Sequence, residues 1–177
     1  MRQFYDTFST PLGDFSVALN ADGAVLATAF GDLGALRERF TADEVIHDPA
    51  RAAAVRREVG EYFAHQRHVF TVKLAASGSA FQRQVWSALQ RIPLGETRSY
   101  AQLAAEIGNP AASRAVGRAN ATNPICLIVP CHRVIGTDGS LTGFAFGEDL
   151  KRRLLAHEKG ATLTGAPGAH RAATQAA

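Results

Sequence analysis

SYAQLAAEIGNPAASRAVGRANA, Ser99–Ala121, decides how the second half of the chain folds. Ser99 followed three residues later by Gln102 is a capping box, so a helix starts at Tyr100. Tyr100, Leu103, Ala104 and Ile107 share one helical face, and Gly108 ends the run. Pro110 suits the first position of the next helix, read over Ala111–Ala121. That helix is built mostly from small residues: Ala111, Ala112, Ser113, Ala115, Gly117 and Ala119. Two helices joined by a tight turn form a helix-turn-helix. Small residues let such a helix bring its backbone close to a narrow groove while Arg114 and Arg118 project.

The next stretch carries the chemistry: NPICLIVPCHRV, Asn123–Val134. Ile125–Val129 reads as a short buried strand. Pro130 has no N–H and ends it, leaving Cys131 at the strand end with His132 and Arg133 following. Cys126 and Cys131 are five apart on such a strand and point to opposite faces, so no bond between them is expected. Cys126 reads as a packed core cysteine. A thiol attacks carbon only as thiolate, so Cys131 needs a proton acceptor, and His132 is adjacent. Further on, Glu148–Lys159 reads as a helix with Leu150, Leu154 and Leu155 inward. Glu158 falls on that apolar face, where a carboxylate needs a partner. It can orient an imidazole, which gives a Cys131–His132–Glu158 relay.

The first half reads differently. Residues 3–10, 14–20 and 23–30 look like strands, with a turn at Asp22-Gly23. Helices are expected over Leu33–Phe40 and Arg51–Gln66, the second with Val55, Val59, Tyr62 and Phe63 on one face. Val69–Leu74 reads as a further strand and Ala75–Ser79 as a linker. Phe81, Val85, Leu89 and Ile92 then form a helical stripe with Trp86 beside it. The expected organisation is a domain over 1–76, a second over 77–160, and a disordered tail over 161–177. His47, His65, His68, His157 and His170 belong to no constellation and are expected at the surface, and Lys151-Arg152-Arg153 reads as a solvated face.

Charge is unevenly spread. Residues 1–80 hold 8 Lys and Arg against 10 Asp and Glu, whereas residues 81–160 hold 10 against 6. A basic half that contains the cysteine suits a polyanion. Two cysteines form neither a disulfide framework nor, with one histidine nearby, a structural zinc site, so no metal is expected. No apolar run reaches membrane length, and the first residues lack a signal-peptide core. The expected location is cytoplasmic, or nuclear in a eukaryote.

Several of these motifs occur together in order. Phe81-Gln82-Arg83-Gln84-Val85-Trp86, Ile92-Pro93-Leu94-Gly95-Glu96-Thr97, Ser99-Tyr100, Ala115-Val116-Gly117, Asn123-Pro124 and Pro130-Cys131-His132-Arg133-Val134 resemble the O6-alkylguanine-DNA alkyltransferases, also called methylated-DNA–protein-cysteine methyltransferases. The likeness covers residues 81–160 closely and the first 75 in outline. It implies an α/β (α+β) fold: a small ribonuclease H-like N-terminal domain of antiparallel sheet plus helices, and a helical, winged helix-turn-helix-like domain carrying the cysteine. It implies DNA repair by one irreversible transfer of the alkyl group from O6-alkylguanine, or O4-alkylthymine, in duplex DNA to Cys131. The base would be flipped out from the minor groove, and no cofactor is needed.

The resemblance also implies roles. His132 would take the thiol proton through a water, with Glu158 behind it. Asn123 would bond backbone carbonyls around the cysteine, and Tyr100 would protonate the departing base. Arg114 would fill the space left by the flipped base, with Ser113, Ala115, Gly117, Arg118, Thr97 and Ser99 along the DNA. Val134, Phe144, Ala145, Phe146 and Lys151 would line the substrate pocket. Family members often have consecutive glycines where Ala145-Phe146 stand, so Phe146 narrows the expected mouth. A monomer is expected, with cooperativity on DNA left open. Three other readings compete. A non-catalytic sensor of alkylguanine would not need Cys131. A helix-turn-helix regulator would need a dimerisation element. A cysteine hydrolase would need an oxyanion hole and would turn over repeatedly.

Overall fold

A computed structural model describes residues 1–163. They form two compact units, Met1–Ala76 and Ser77–Ala161. Within the first, strands β1 (Gln3–Thr10), β2 (Gly13–Leu19), β3 (Val25–Phe30) and β4 (Val45–His47) make one sheet in the order β3-β2-β1-β4. The first three are antiparallel neighbours, while β4 runs parallel to β1. Gly13, at φ 100°, closes the first hairpin, and the Thr10 hydroxyl donates to its carbonyl at 2.7 Å. Phe15 sits opposite Phe8 and Phe30, and its ring meets Phe30 edge-on. Helix α1 (Leu33–Arg37) is capped by Asp32 and stops three residues short of the expected end. Helix α2 (Ala53–Phe63) buries Val55, Val59, Tyr62 and Phe63, the face that the spacing predicts.

Two readings change here. Val69–Leu74 forms no strand beyond a single bridge from Leu74 to Val25. Its amides turn instead to a buried carboxylate: Glu58 accepts from the Thr71 and Val72 N–H groups and from the Thr71 hydroxyl. Donors committed to a side chain cannot also pair with a neighbouring strand. The three-residue β4 is too short to show alternation, and the sequence reading misses it. His47 in β4 is exposed but tied to buried Asp6 at 3.0 Å, and Arg56 of α2 bonds the other oxygen of that carboxylate.

The second unit starts with helix α3 (Ala80–Gln90), opened by a Ser79/Gln82 capping box. It buries Val85, Trp86, Ala88 and Leu89, and the Trp86 indole N–H donates to the Ala119 carbonyl at 2.8 Å. A two-residue strand β5 (Arg98–Ser99) pairs in parallel with β6 (Val134–Ile135). Helix α4 (Tyr100–Glu106) has the expected Ser99/Gln102 capping box. A 3-10 turn, Pro110–Ala112, then leads into α5 (Ser113–Ala121), and helix α6 (Glu148–Glu158) ends the unit. None of the helices described is long and apolar enough to cross a membrane. The tail expectation and His170 fall, from residue 164 on, outside the described residues.

Ile125–Val129 is buried as expected but is not a strand. Leu127 has φ 70°, Ile128 N–H donates to the Cys126 carbonyl and Val129 N–H to that of Ile125. The segment is a coiled turn whose amides are satisfied locally. The opposite-faces reasoning for Cys126 and Cys131 loses its basis with the strand, although both are buried and neither forms a disulfide.

Trp86 is the single tryptophan and reports on this unit. A Cβ on Gly78 would stand 2.5 Å from its ring, so Gly78→Ala must push the indole aside. A thermal melt followed by tryptophan fluorescence is expected to show a loss of about 1–3 kcal/mol, the usual cost of overpacking.

Candidate active site

The cysteine turn is held by one side chain. Asn123, 1% exposed, accepts from the Ile125 N–H at 3.0 Å and donates to the carbonyls of Val129 at 2.9 Å and Ile125 at 3.4 Å. Buried backbone groups without partners cost about 1–3 kcal/mol each, so this amide makes a buried turn possible. Pro130 then opens a 3-10 turn, Cys131–Arg133, directly before β6. The Cys131 N–H donates to Val129 and its carbonyl accepts from Asn120, at 2.8 and 3.3 Å. With its backbone fixed at both ends, Cys131 is 4% exposed.

The 3-10 turn sets His132 and Arg133 against the last turn of α6. His132 Nε2 lies 2.7 Å from Glu158 Oε2. A carboxylate accepts, so Nε2 carries the proton and Nδ1 is left as the base; Nδ1 is buried and meets no hydrogen-bond partner. Arg133 forks onto the same carboxylate, Nε to Oε1 at 2.7 Å and Nη2 to Oε2 at 3.0 Å, and its Nη1 donates to the Ile92 carbonyl at 2.7 Å. Burial pushes the Glu158 carboxyl up, but His132 and Arg133 outweigh it and hold it well below the usual carboxylate range. A thiol, a base and a fixed carboxylate in this order can make a thiolate and hold its proton.

Two groups respond to charge on Cys131. Lys151 is fully buried and its Nζ has no hydrogen-bond partner. Burial lowers its pKa from 10.5 to about 8, against the pull of Cys131 and of Glu148. Tyr100 is pushed up, first by burial and then by Cys131, with a smaller opposing effect from the Asn120 amide. It therefore keeps its proton, and its hydroxyl donates to the Thr142 carbonyl at 3.1 Å. Gly143 lets the chain pass there: at φ 86°, a Cβ would stand 3.0 Å from the Tyr100 hydroxyl.

A family model described as the DNA binding domain of 6-O-methylguanine DNA methyltransferase matches residues 80–160. The methylated-DNA–protein-cysteine methyltransferase of Methanosarcina acetivorans is 43% identical over 152 residues, spanning 86% of this chain and 96% of its own. The constitutive one of Bacillus subtilis is 42% identical over 158 residues, 88% of this chain and 95% of its own. The crystal structure of Mycobacterium tuberculosis OGT in complex with DNA superposes with a TM-score of 0.79 at 40% identity, covering 88% of this chain and 92% of that one. The chain belongs to the methylated-DNA–protein-cysteine methyltransferase family.

For this family member, the expected residues divide by location. Cys131, His132, Glu158, Asn123, Lys151 and Val134 are all buried in the second unit, with Tyr100 half-buried beside Cys131. Phe144 is 9% exposed and meets half-buried Phe146 edge-on at 5.7 Å, while Ala145 is exposed. Arg114 and Arg118 project from α5, and Ser113, Ala115, Gly117, Thr97 and Ser99 are half-buried. The Ser99 hydroxyl is already engaged by the α4 cap. A cavity of about 480 Å³ lined by Phe8, Pro11, Arg56, Val59 and Phe63 lies in the first unit and includes no predicted site residue. Among the described residues, no three His, Cys, Asp or Glu side chains gather as a metal would require.

Corrections fall on α6. Lys151 is not part of a solvated face, and His157 is buried rather than at the surface. Lys151 lies three and seven residues before Leu154 and Glu158, on the inner side of the helix, and His157 lies three after Leu154. Arg133 and Asn120 are missed by the sequence reading. Arg133 follows the histidine and could have been paired with Glu158 by the same need for a partner that singles out His132.

Lys151 is costly as a cation. Its depressed pKa means that the unfolded chain binds more protons between about 8 and 10.5, so stability rises with pH across that window. Lys151→Met is expected to stabilise the fold by about 2–3 kcal/mol below pH 8, with the gain vanishing toward pH 10.5. Urea unfolding of both proteins across that range checks it; an equal difference at both ends would contradict it.

Proposed function

We propose that the thiol of Cys131 takes the alkyl group from O6 of guanine in duplex DNA, once per molecule, and so restores the base. The observation that carries this is the buried Cys131 beside the His132–Glu158–Arg133 cluster, in a chain of this family. Thiolate formation comes first. The proton leaves Sγ for His132 Nδ1 through a water, and Glu158 stabilises the imidazolium through Nε2–H. Sγ then attacks the alkyl carbon; the S–C bond forms as the C–O6 bond breaks. The electron pair stays on the departing guanine, which takes a proton from Tyr100. Tyr100 recovers one from the pool that the thiol supplied. The product is a neutral thioether with no group beside it able to reverse the step, so one alkyl group consumes one protein.

DNA is the partner, and the exposed arginines of α5 suit its phosphates. The alkyl carbon of a stacked base cannot reach a thiol that is 4% exposed, so the nucleotide must leave the helix. Arg114, second residue of α5 and exposed, fills the gap it leaves. Val134, Phe144, Ala145 and Phe146 surround the flipped base, and Phe146 limits the alkyl group's size.

Incubation with duplex DNA containing O6-methylguanine, followed by mass spectrometry, is expected to add one methyl group to Cys131 and none to Cys126, the two told apart by fragment ions of the peptide that carries both. Cys131→Ser should abolish the transfer while retaining DNA binding. An unmodified Cys131, or transfer surviving in Cys131→Ser, sinks the proposal.

Arg114 separates flipping from chemistry. Arg114→Ala should slow transfer from duplex DNA roughly a hundredfold, the loss of a few kcal/mol for the flipped state. Transfer from the free O6-alkylguanine base needs no flipping and should be nearly unchanged. Tyr100→Phe should slow both. Single-turnover kinetics on the two substrates decides; equal slowing of both by Arg114→Ala would assign that residue to the fold instead.

A further inference from the structure

We propose that Arg133 is a positioning residue whose permanent charge compensates Glu158 and so sets the pH at which the Cys131–His132 pair becomes reactive. The inference rests on the transfer chemistry proposed above and extends it to a residue outside the relay. Arg133 is 6% exposed, and its Nε, Nη1 and Nη2 are all engaged. Two donate to Glu158, the third to the Ile92 carbonyl just beyond the end of α3. This is the two-pronged geometry that only a guanidinium provides, and it fixes the plane of the carboxylate. With that plane fixed, Oε2 faces His132 Nε2 and the opposite ring nitrogen stays open as the base.

The charge count gives the consequence. When Cys131 is a thiol and His132 is protonated, the pair can neither attack nor accept a proton. It becomes reactive on losing one proton, whichever of the two atoms gives it up. Glu158 opposes that loss, because a buried carboxylate holds a nearby proton in place. Arg133 cancels this opposition with a cation that never titrates. The charged and titratable groups that bear on the pair are Arg133 on the same turn, Tyr100 from α4, and Glu158 and Lys151 on α6, with Glu148 of that helix acting on Lys151. Lys151 and Tyr100 both respond to charge on Cys131, and the end of α3 contributes the Ile92 carbonyl. All of these except Arg133 are unchanged in a single Arg133 variant, so their effects cancel in the comparison.

The experiment follows the rate of Cys131 modification against pH in two assays on the full chain. One is methyl transfer from O6-methylguanine duplex DNA. The other is alkylation by iodoacetamide, read at Cys131 by mass spectrometry, which needs no DNA. In Arg133→Met the acidic limb of both profiles should move up by at least about one pH unit, a tenfold slower reaction at a fixed pH on that limb. Arg133→Lys keeps the charge without the fork, so its limb should stay near that of the wild type while its plateau falls. Arg133→Met/Glu158→Gln removes both charges and should bring the limb back, though the plateau stays low. If Arg133→Met fails to fold, the Lys variant and the double variant decide by the same criteria. A uniform slowing of Arg133→Met with an unmoved limb overturns the proposal, as does a limb shifted in Arg133→Lys or still shifted in the double variant. A wild type that alkylates with iodoacetamide but takes no methyl group from DNA would refute the DNA-repair reading alone, and the iodoacetamide profiles would still judge Arg133.

Discussion

The carboxylate of Glu158 is buried and must be surrounded by donors. Its partners tie three segments together: the 3-10 turn through His132 and Arg133, the last turn of α6 through Glu158 itself, and the end of α3 through the Ile92 carbonyl that shares Arg133. A buried pair of this kind is a poor source of net stability, because desolvation offsets most of the attraction. Breaking it is another matter, since one partner is then left charged and buried. The arrangement therefore specifies geometry more than it strengthens the fold. It fixes where the cysteine turn lies against α6, and which ring nitrogen of His132 is left as the base.

The turn that presents Cys131 is subject to the same constraint. A buried turn leaves amides and carbonyls that neither helix nor sheet can satisfy. Asn123 takes three of these bonds with one side chain, and Asn120 takes the Cys131 carbonyl from the helix before it. Leu127 adopts a left-handed backbone, a conformation that costs an ordinary residue on the order of 1 kcal/mol. Apolar packing around Ile125, Leu127 and Val129 offsets that cost. The thiol thus sits on a support as fixed as a strand end, reached by a different route.

This difference shows what the sequence could and could not convey. The capping box at Ser99, the stripe of α2 and the inward face of Glu158 follow from spacing alone, because helical periodicity is local. Ile125–Val129 misleads because β-branched and apolar residues mark burial as much as extension, and the bonds that decide between strand and turn come from Asn123. Val69–Leu74 misleads for the same reason, its amides being claimed by Glu58 from a distant helix. Lys151 and Arg133 are hidden by a prior: charged residues usually face water. Position within α6 places Lys151 at helical spacing from Leu154 and Glu158, but the rule that lysines are solvated outweighs that spacing in a sequence reading. Roles such as that of Arg114 come only from family resemblance, since an exposed arginine on a short helix has many uses.

The site's remaining charge gives the cysteine its purpose in electrostatic terms. On one side, Glu158 and Arg133 neutralise each other. On the other side, the Lys151 ammonium is fully buried with no hydrogen-bond acceptor, favoured only by Cys131 and by Glu148 at the start of its own helix. A buried cation with so little compensation is unfavourable, and in the proposed mechanism a thiolate at Cys131 adds to the pull of Glu148. In that mechanism, proton transfer from Sγ to His132 relieves Lys151 as it creates the nucleophile. The imidazolium that results is held by Glu158. In that step one proton moved within the cluster adds an anion that favours the Lys151 cation and a cation held by the fixed carboxylate, without importing charge from solvent.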